Sequence, residues 1–330
     1  MAFAHAFQCS SLDTSAIAST RSEIIRGFIP LVVAIALLHA LCTLALPYTS
    51  IHISLSTSIA LLLVCATCSA ASLCCLRLVF APAICSGLAL FGIIVLAGRG
   101  GLILSYMTSS LARSFPLRDP LLAEIDLTLG FEWTTMMAWF DHYPTFTEIG
   151  RYAYDSLIYQ QVIVPFVLIL FRQYRMAQLT VLILITSLIL THLIALFIPA
   201  VSSYPFYEID PSQHPHIRLS QENVFVPHVE ALRSGATVNL DLPPWFAVTT
   251  FPSLHSTMAI AFAWALRAAP YVRWAGLLAN TMMLAFTPLH GSHYLVDVLA
   301  GAALALVVIP ASQWFMRILA PQCSRRHGQG

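Results

Sequence analysis

Long apolar runs separated by polar breaks dominate the chain, and eight of them approach the roughly 20 residues that cross a bilayer as a helix. They fall at 28–46, 55–76, 84–106, 152–171, 177–199, 252–268, 272–288 and 293–316. None alternates with a period of two, and only helices satisfy their own backbone in lipid from such continuous runs. The expected fold is all-α: a polytopic membrane helical bundle of about eight transmembrane helices. The first run follows Arg21 and Arg26 and resembles a leader, but its length favours a retained helix. Two breaks are long. Residues 107–151 hold Asp119-Pro120, an expected short helix at 121–129 and an aromatic stretch at 133–143 suited to the membrane interface. Residues 200–249 are richer in Pro, His, Ser and Asp and are expected to form a polar cap. No internal repeat is evident.

Composition supports this picture. The 330 residues are 58% hydrophobic and 9% charged, against about a quarter charged in soluble domains; the mean hydropathy is +0.79. All 16 basic residues are arginine, so neither a lysine nucleophile nor a lysine phosphate ligand exists. A net charge of +1 with no basic stripe argues against a nucleic-acid partner. Six of the eight cysteines lie in or beside apolar runs, and Cys9 and Cys323 lie in the tails, so no disulfide framework is implied. Cys65-x-x-Cys68 lacks a second ligand pair and reads as packing.

Arginine placement sets the expected orientation. With eight spans, Arg21, Arg26, Arg77, Arg172, Arg175, Arg267, Arg273, Arg317, Arg325 and Arg326 share the side of both termini. Arg113, Arg118, Arg151, Arg218 and Arg233 fall opposite, in or beside the long loops, which weigh little in the positive-inside rule. Both termini are therefore expected in the cytoplasm.

Two polar islands then face outward. One is Phe251-Pro252-Ser253-Leu254-His255-Ser256; the other is His290-Gly291-Ser292-His293-Tyr294-Leu295-Val296-Asp297. His293 and Asp297, four apart at a helix start, share one face. A carboxylate one turn below an imidazole fixes its tautomer and leaves the other ring nitrogen as nucleophile or base. The same pair would also serve as a tie between helices. Pro252 suits a first helical turn, and Thr249, Thr250 or Ser253 could cap it. Free N–H groups there, with the Ser253 and Ser256 hydroxyls, make an anion site.

Pro252-Ser253-Leu254-His255 and His293-Tyr294-Leu295-Val296-Asp297 resemble the second and third signature motifs of the type 2 phosphatidic acid phosphatase superfamily. With Leu299-Ala300-Gly301 following, the pair looks most like the inositol phosphorylceramide synthase (inositolphosphotransferase) branch and its bacterial relatives. The resemblance implies a six-helix catalytic core at 84–316 with external loops 107–151 and 200–249. Two additional helices at 28–80 and cytoplasmic tails at 1–27 and 317–330 complete the expected organisation. It further implies phosphoryl transfer through a phosphohistidine with no metal or other cofactor. His293 would attack phosphorus, Asp297 would orient it, and His255 would protonate the leaving oxygen. The partners implied are a membrane lipid phosphate and an acceptor alcohol. A lipid phosphate phosphatase is the alternative, and the setting would be a bacterial inner membrane with the site toward the periplasm or exterior.

The chain departs from the phosphatase pattern. It has no Lys…Arg-Pro motif, Thr287 stands where an arginine is usual, and Leu254 replaces a common glycine. Arg99, in the outward half of the third run, is the expected substitute phosphate ligand, with snorkelling or pairing to Asp155 the competing roles. Arg151 is a second candidate. His290 is expected to cap, and His39 and His192 to lie in the core. Two other function classes remain: a metal hydrolase using His255, His290, His293 and Asp297, and a transporter, which the missing repeat symmetry disfavours.

Overall fold

Proline opens several of the helices, because its fixed φ suits a first turn whose N–H has no partner in any case. Pro30, Pro120 and Pro144 do so here. The computed structural model describes residues 22–54, 63, 67, 82–214, 216–217, 222–240 and 246–321. Among these, α1 is Ile29–Ala45, α2 Pro82–Leu111, α3 Asp119–Thr128, α4 Trp133–Asp141 and α5 Pro144–Leu170. Then come α6 Tyr174–Ala195, α7 Ser203–Phe206, α8 Glu222–Ser234, α9 Leu254–Leu266, α10 Arg273–His290 and α11 Leu295–Leu319. The described residues are all-α apart from one parallel pairing of two-residue strands, β1 (Ile51–His52) and β2 (Val238–Asn239). That pairing, not expected from the sequence, ties the polar cap to the end of α1.

Five described stretches are long and apolar enough to cross a membrane: Ser22–Tyr48, Pro82–Ser114, Pro144–Leu170, Tyr174–Ala195 and Leu295–Leu319. The expected eight are not established. The run at 55–76, with Cys65 and Cys68, lies outside the described residues. At 13 residues α9 is about 20 Å long, and α10 carries Arg273, Asn280, Thr281 and Thr287 in its 18.

Helix α5 starts at Pro144 rather than near 152. Its first turns hold Glu148, Arg151 and Asp155, where apolar character fades. Arg151 pairs with Glu148 at 2.6 Å and with Asp155 at 3.0 Å, and such i±3 and i±4 pairs let the helix continue. Asp155 is thus paired with Arg151. The 107–151 connection holds the end of α2, all of α3 and α4, and the start of α5.

Helix α1 runs parallel to α2, and the long helices α2, α5, α6, α9, α10 and α11 then alternate in direction, so their ends gather in two groups. The C-termini of α1 and α2 meet where Ser50 N–H donates to Ser110 Oγ (3.1 Å). The end of α6 joins them through Thr108 Oγ1, which donates to the His192 carbonyl. At the same end Ser253 N–H, before α9, donates to the Asp297 carbonyl at the head of α11 (3.1 Å). At the opposite end Arg175 donates to the Ala320 carbonyl (2.9 Å) and Gln178 to the Ile24 carbonyl (2.8 Å). Buried apolar residues of α6, including Leu182, Ile183 and Ile185, form the centre against α2, α5, α9 and α11. Both polar islands lie at the first end, under the cap.

Candidate functional site

The second island is built by one helix ending and the next beginning. As α10 stops, Ser292 N–H donates to the Leu289 carbonyl and His293 N–H to the Pro288 carbonyl, the two bonds of a Schellman cap. The left-handed position of that cap belongs to Ser292 (φ 50), where glycine is usual and another residue costs about 1–2 kcal/mol. Its hydroxyl offsets that cost: it pairs with Ser202 Oγ at 2.8 Å and accepts Tyr204 N–H at 2.8 Å. Gly291 is needed for space instead. A Cβ there would press on the His293 ring, the Thr287 carbonyl and the Tyr154 hydroxyl together.

The turn delivers His293 to the head of α11. Its Nδ1 lies 3.1 Å from Asp297 Oδ2, which also accepts Tyr294 N–H at 3.1 Å. With Nδ1–H donating to the carboxylate, Nε2 carries the lone pair, and it faces Ser253 Oγ at 3.4 Å. Asp297 is fully buried and His293 is 6% exposed.

Ser253 belongs to the first island and is the N-cap of α9, its Oγ accepting Ser256 N–H at 3.3 Å. The helix thus begins at Leu254, two residues later than proline placement suggested. The backbone N–H groups of Leu254 and His255 have no hydrogen-bond partner among the described residues. Asp297 Oδ1 and Ser256 Oγ are buried and likewise have none, a state that costs free energy and is uncommon without a purpose. Helices α9 and α11 touch through backbone: a Cβ on Gly301 would collide with the Ser253 carbonyl. Thr257 Oγ1, 2.9 Å from the Gly301 carbonyl and 3.1 Å from that of Ser253, bridges the two. His255, half-buried in the first turn of α9, has its ring stacked on Tyr154 of α5 with centroids 3.9 Å apart.

The remaining residues singled out from the sequence make contacts of their own. Arg99 is buried and donates to the Leu240 carbonyl at 3.0 Å; the hydrogen bonds joining His293, Asp297, Ser253 and Tyr294 do not include it. His290 Nε2 lies 2.9 Å from the Thr147 carbonyl and ties α10 to α5. His192 is buried, with Nδ1 3.1 Å from Thr249 Oγ1, and holds the strand of chain leading into the first island. His39 Nδ1 faces the Ile35 carbonyl within α1. Among the described residues no three His, Cys, Asp or Glu side chains are grouped to hold a metal ion.

Four residues that matter here were not expected at the site. Asp126 accepts the N–H groups of Leu295 (2.7 Å) and Val296 (2.9 Å), the first turn of α11. Asp119 accepts Val201 N–H at 3.0 Å, Ser202 N–H at 3.1 Å and the Tyr294 hydroxyl at 3.1 Å. Burial pushes both carboxyls above the usual carboxylate range, and the backbone donors pull them back. Trp133, expected at the interface, is buried and donates to the His293 carbonyl at 3.2 Å. Tyr154 is the fourth. The signal available for the aspartates was their spacing of seven, two turns along one helix face.

The described geometry defines a class before any comparison: an integral membrane helical protein with a buried histidine–carboxylate pair beside a hydroxyl-capped helix end. The profile of the PAP2 superfamily matches residues 120–311, from α3 into α11. The chain belongs to that superfamily, whose members are generally phosphatases or phosphotransferases. The match takes in both islands and begins after α2. No curated protein and no solved structure was found to be similar.

Proposed function

We propose that this protein is an integral-membrane lipid phosphotransferase of the inositol phosphorylceramide synthase type, working through a phosphohistidine without metal. One observation carries the reading: Asp297 holds His293 Nδ1 at 3.1 Å while Nε2 is directed at the hydroxyl-capped head of α9. In the first half-reaction Nε2 attacks phosphorus, the bond to the leaving oxygen breaks, and His255 gives that oxygen its proton. Asp297 balances the charge that develops on the imidazole. The open N–H groups of Leu254 and His255, with Ser253 and Ser256, meet the equatorial phosphate oxygens. In the second half-reaction an acceptor alcohol loses its proton to His255, attacks phosphorus and releases His293.

Arg99 is assigned to the phosphate from its place in the sequence. Its hydrogen bond to Leu240 favours holding the 238–240 segment on α2, and its phosphate role rests on the sequence pattern alone. The arginine distribution supports a site facing away from the cytoplasm, which in a bacterial inner membrane is the periplasmic side. Labelling of a cysteine placed at exposed Ser212 by an impermeant reagent in intact cells tests that orientation; labelling only after lysis counts against it.

The function is tested with purified protein and a panel of labelled lipid phosphates, with and without acceptor alcohols. Acceptor-dependent product supports the transferase, and inorganic phosphate alone makes the protein a phosphatase instead. A labelled, acid-labile phosphoenzyme is expected in the native protein and absent from His293→Ala. Full turnover by that variant would remove the mechanism in either form.

A further inference from the structure

We propose that Tyr154 is a positioning residue for His255, its ring face fixing the imidazole and favouring the protonated form that donates to the leaving oxygen. The proposal rests on the functional reading above, in which His255 is the proton donor. The two rings lie 3.9 Å apart at the centroids with planes 13° from parallel. A ring pair so close and so nearly parallel leaves the imidazole one orientation on that side. The Tyr154 hydroxyl lies against Gly291, at the same point that the edge of the His293 ring approaches. One side chain of α5 therefore touches the ring of the donor and reaches the turn that carries the nucleophile. It lies outside both signature motifs, on α5.

The physical effect is directional. An aromatic face attracts a cation held over it and does little for the neutral ring, and the attraction grows where water is excluded. The nearby titratable groups do not duplicate it. His293 and Asp297, at the head of α11, are engaged with each other at 3.1 Å. His290 on α10 is held by the Thr147 carbonyl, and His192 on α6 faces Thr249. Beside Tyr154 on α5, Arg151 and Asp155 pair at 3.0 Å. Tyr154 is thus the group in face contact with His255.

The decisive experiment compares Tyr154→Leu, which removes the aromatic face, with Tyr154→Phe, which keeps it. The first readout needs no activity: the titration midpoint of His255, followed by NMR in histidine-labelled protein and assigned by its loss in His255→Asn. Loss of the face lowers the midpoint by about 0.5–1.5 pH units, and the phenylalanine variant restores it toward the native value. The second readout is the pH profile of kcat/KM. Since His255 must carry a proton to donate, activity falls as pH rises through its midpoint. Tyr154→Leu should move that descending limb to lower pH and reduce kcat by about tenfold or more. Tyr154→Phe should recover the limb. A midpoint that is the same in the leucine variant overturns the proposal, as does a fall in kcat with the limb unmoved. A shifted midpoint in a protein that transfers no phosphoryl group to any acceptor or to water leaves the ring contact standing and removes the functional reading instead.

Discussion

At the head of α11 the free N–H groups are met by carboxylates. Asp126 takes those of Leu295 and Val296, and Asp297 takes that of Tyr294. The head of α9, in backbone contact with it, is treated differently: Ser253 supplies a hydroxyl cap, and the N–H groups of Leu254 and His255 have no partner among the described residues. Both ends carry the same partial positive charge of a helix dipole. One is neutralised and rigid, so it serves as a mount for His293. The other keeps its field and its donors, and so is suited to an incoming anion. Two aspartates at one helix and none at its neighbour divide support from chemistry.

The largest effect expected comes from the mounted group. His293→Ala should cut turnover by about ten-thousandfold, and Asp297→Asn by about a hundred- to ten-thousandfold, both measured as labelled phosphoryl transfer. An asparagine variant within a few-fold of native would reduce Asp297 to a helix cap. Next comes a substitution that makes the two helix ends alike. In Ser253→Asp the N-cap itself is preserved, since aspartate and serine are comparable caps, while a carboxylate at this fully buried position lowers thermal stability. A carboxylate now occupies the anion's place, and turnover should fall by about a hundredfold. Native activity in that variant would mean that the phosphate binds elsewhere. The smallest effect on turnover belongs to Asp126→Asn. It replaces a double acceptor by an amide with one acceptor and should cost about 1–3 kcal/mol of stability. Turnover per folded molecule should stay within about tenfold; a collapse without loss of stability would place Asp126 in the chemistry.

The division between the two helix ends also marks what could be read from the chain. Continuous apolar runs announced the helices, and the four-residue spacing announced the His293–Asp297 contact, because both are local. The start of α5 was hidden by Glu148, Arg151 and Asp155, whose mutual pairing apolarity does not register. Asp126 and Trp133 were hidden for another reason. Their partners are backbone groups of Leu295, Val296 and His293, more than 150 residues away, and backbone groups look alike in every sequence. The unmet acceptor Asp297 Oδ1 could not be foreseen either, since an unpaired atom is a property of packing.

The contact at Gly301 has a consequence of tolerance. Helices α9 and α11 are seated backbone to backbone, with the Thr257 hydroxyl between the Ser253 and Gly301 carbonyls. The gap between nucleophile and anion seat is thereby set by a close backbone approach, and the short Thr257 and Ser256 side chains beside it leave little slack. A single methyl group added at position 301, one turn below Asp297, would act as a shim. It would open the working gap while leaving every reacting group chemically intact.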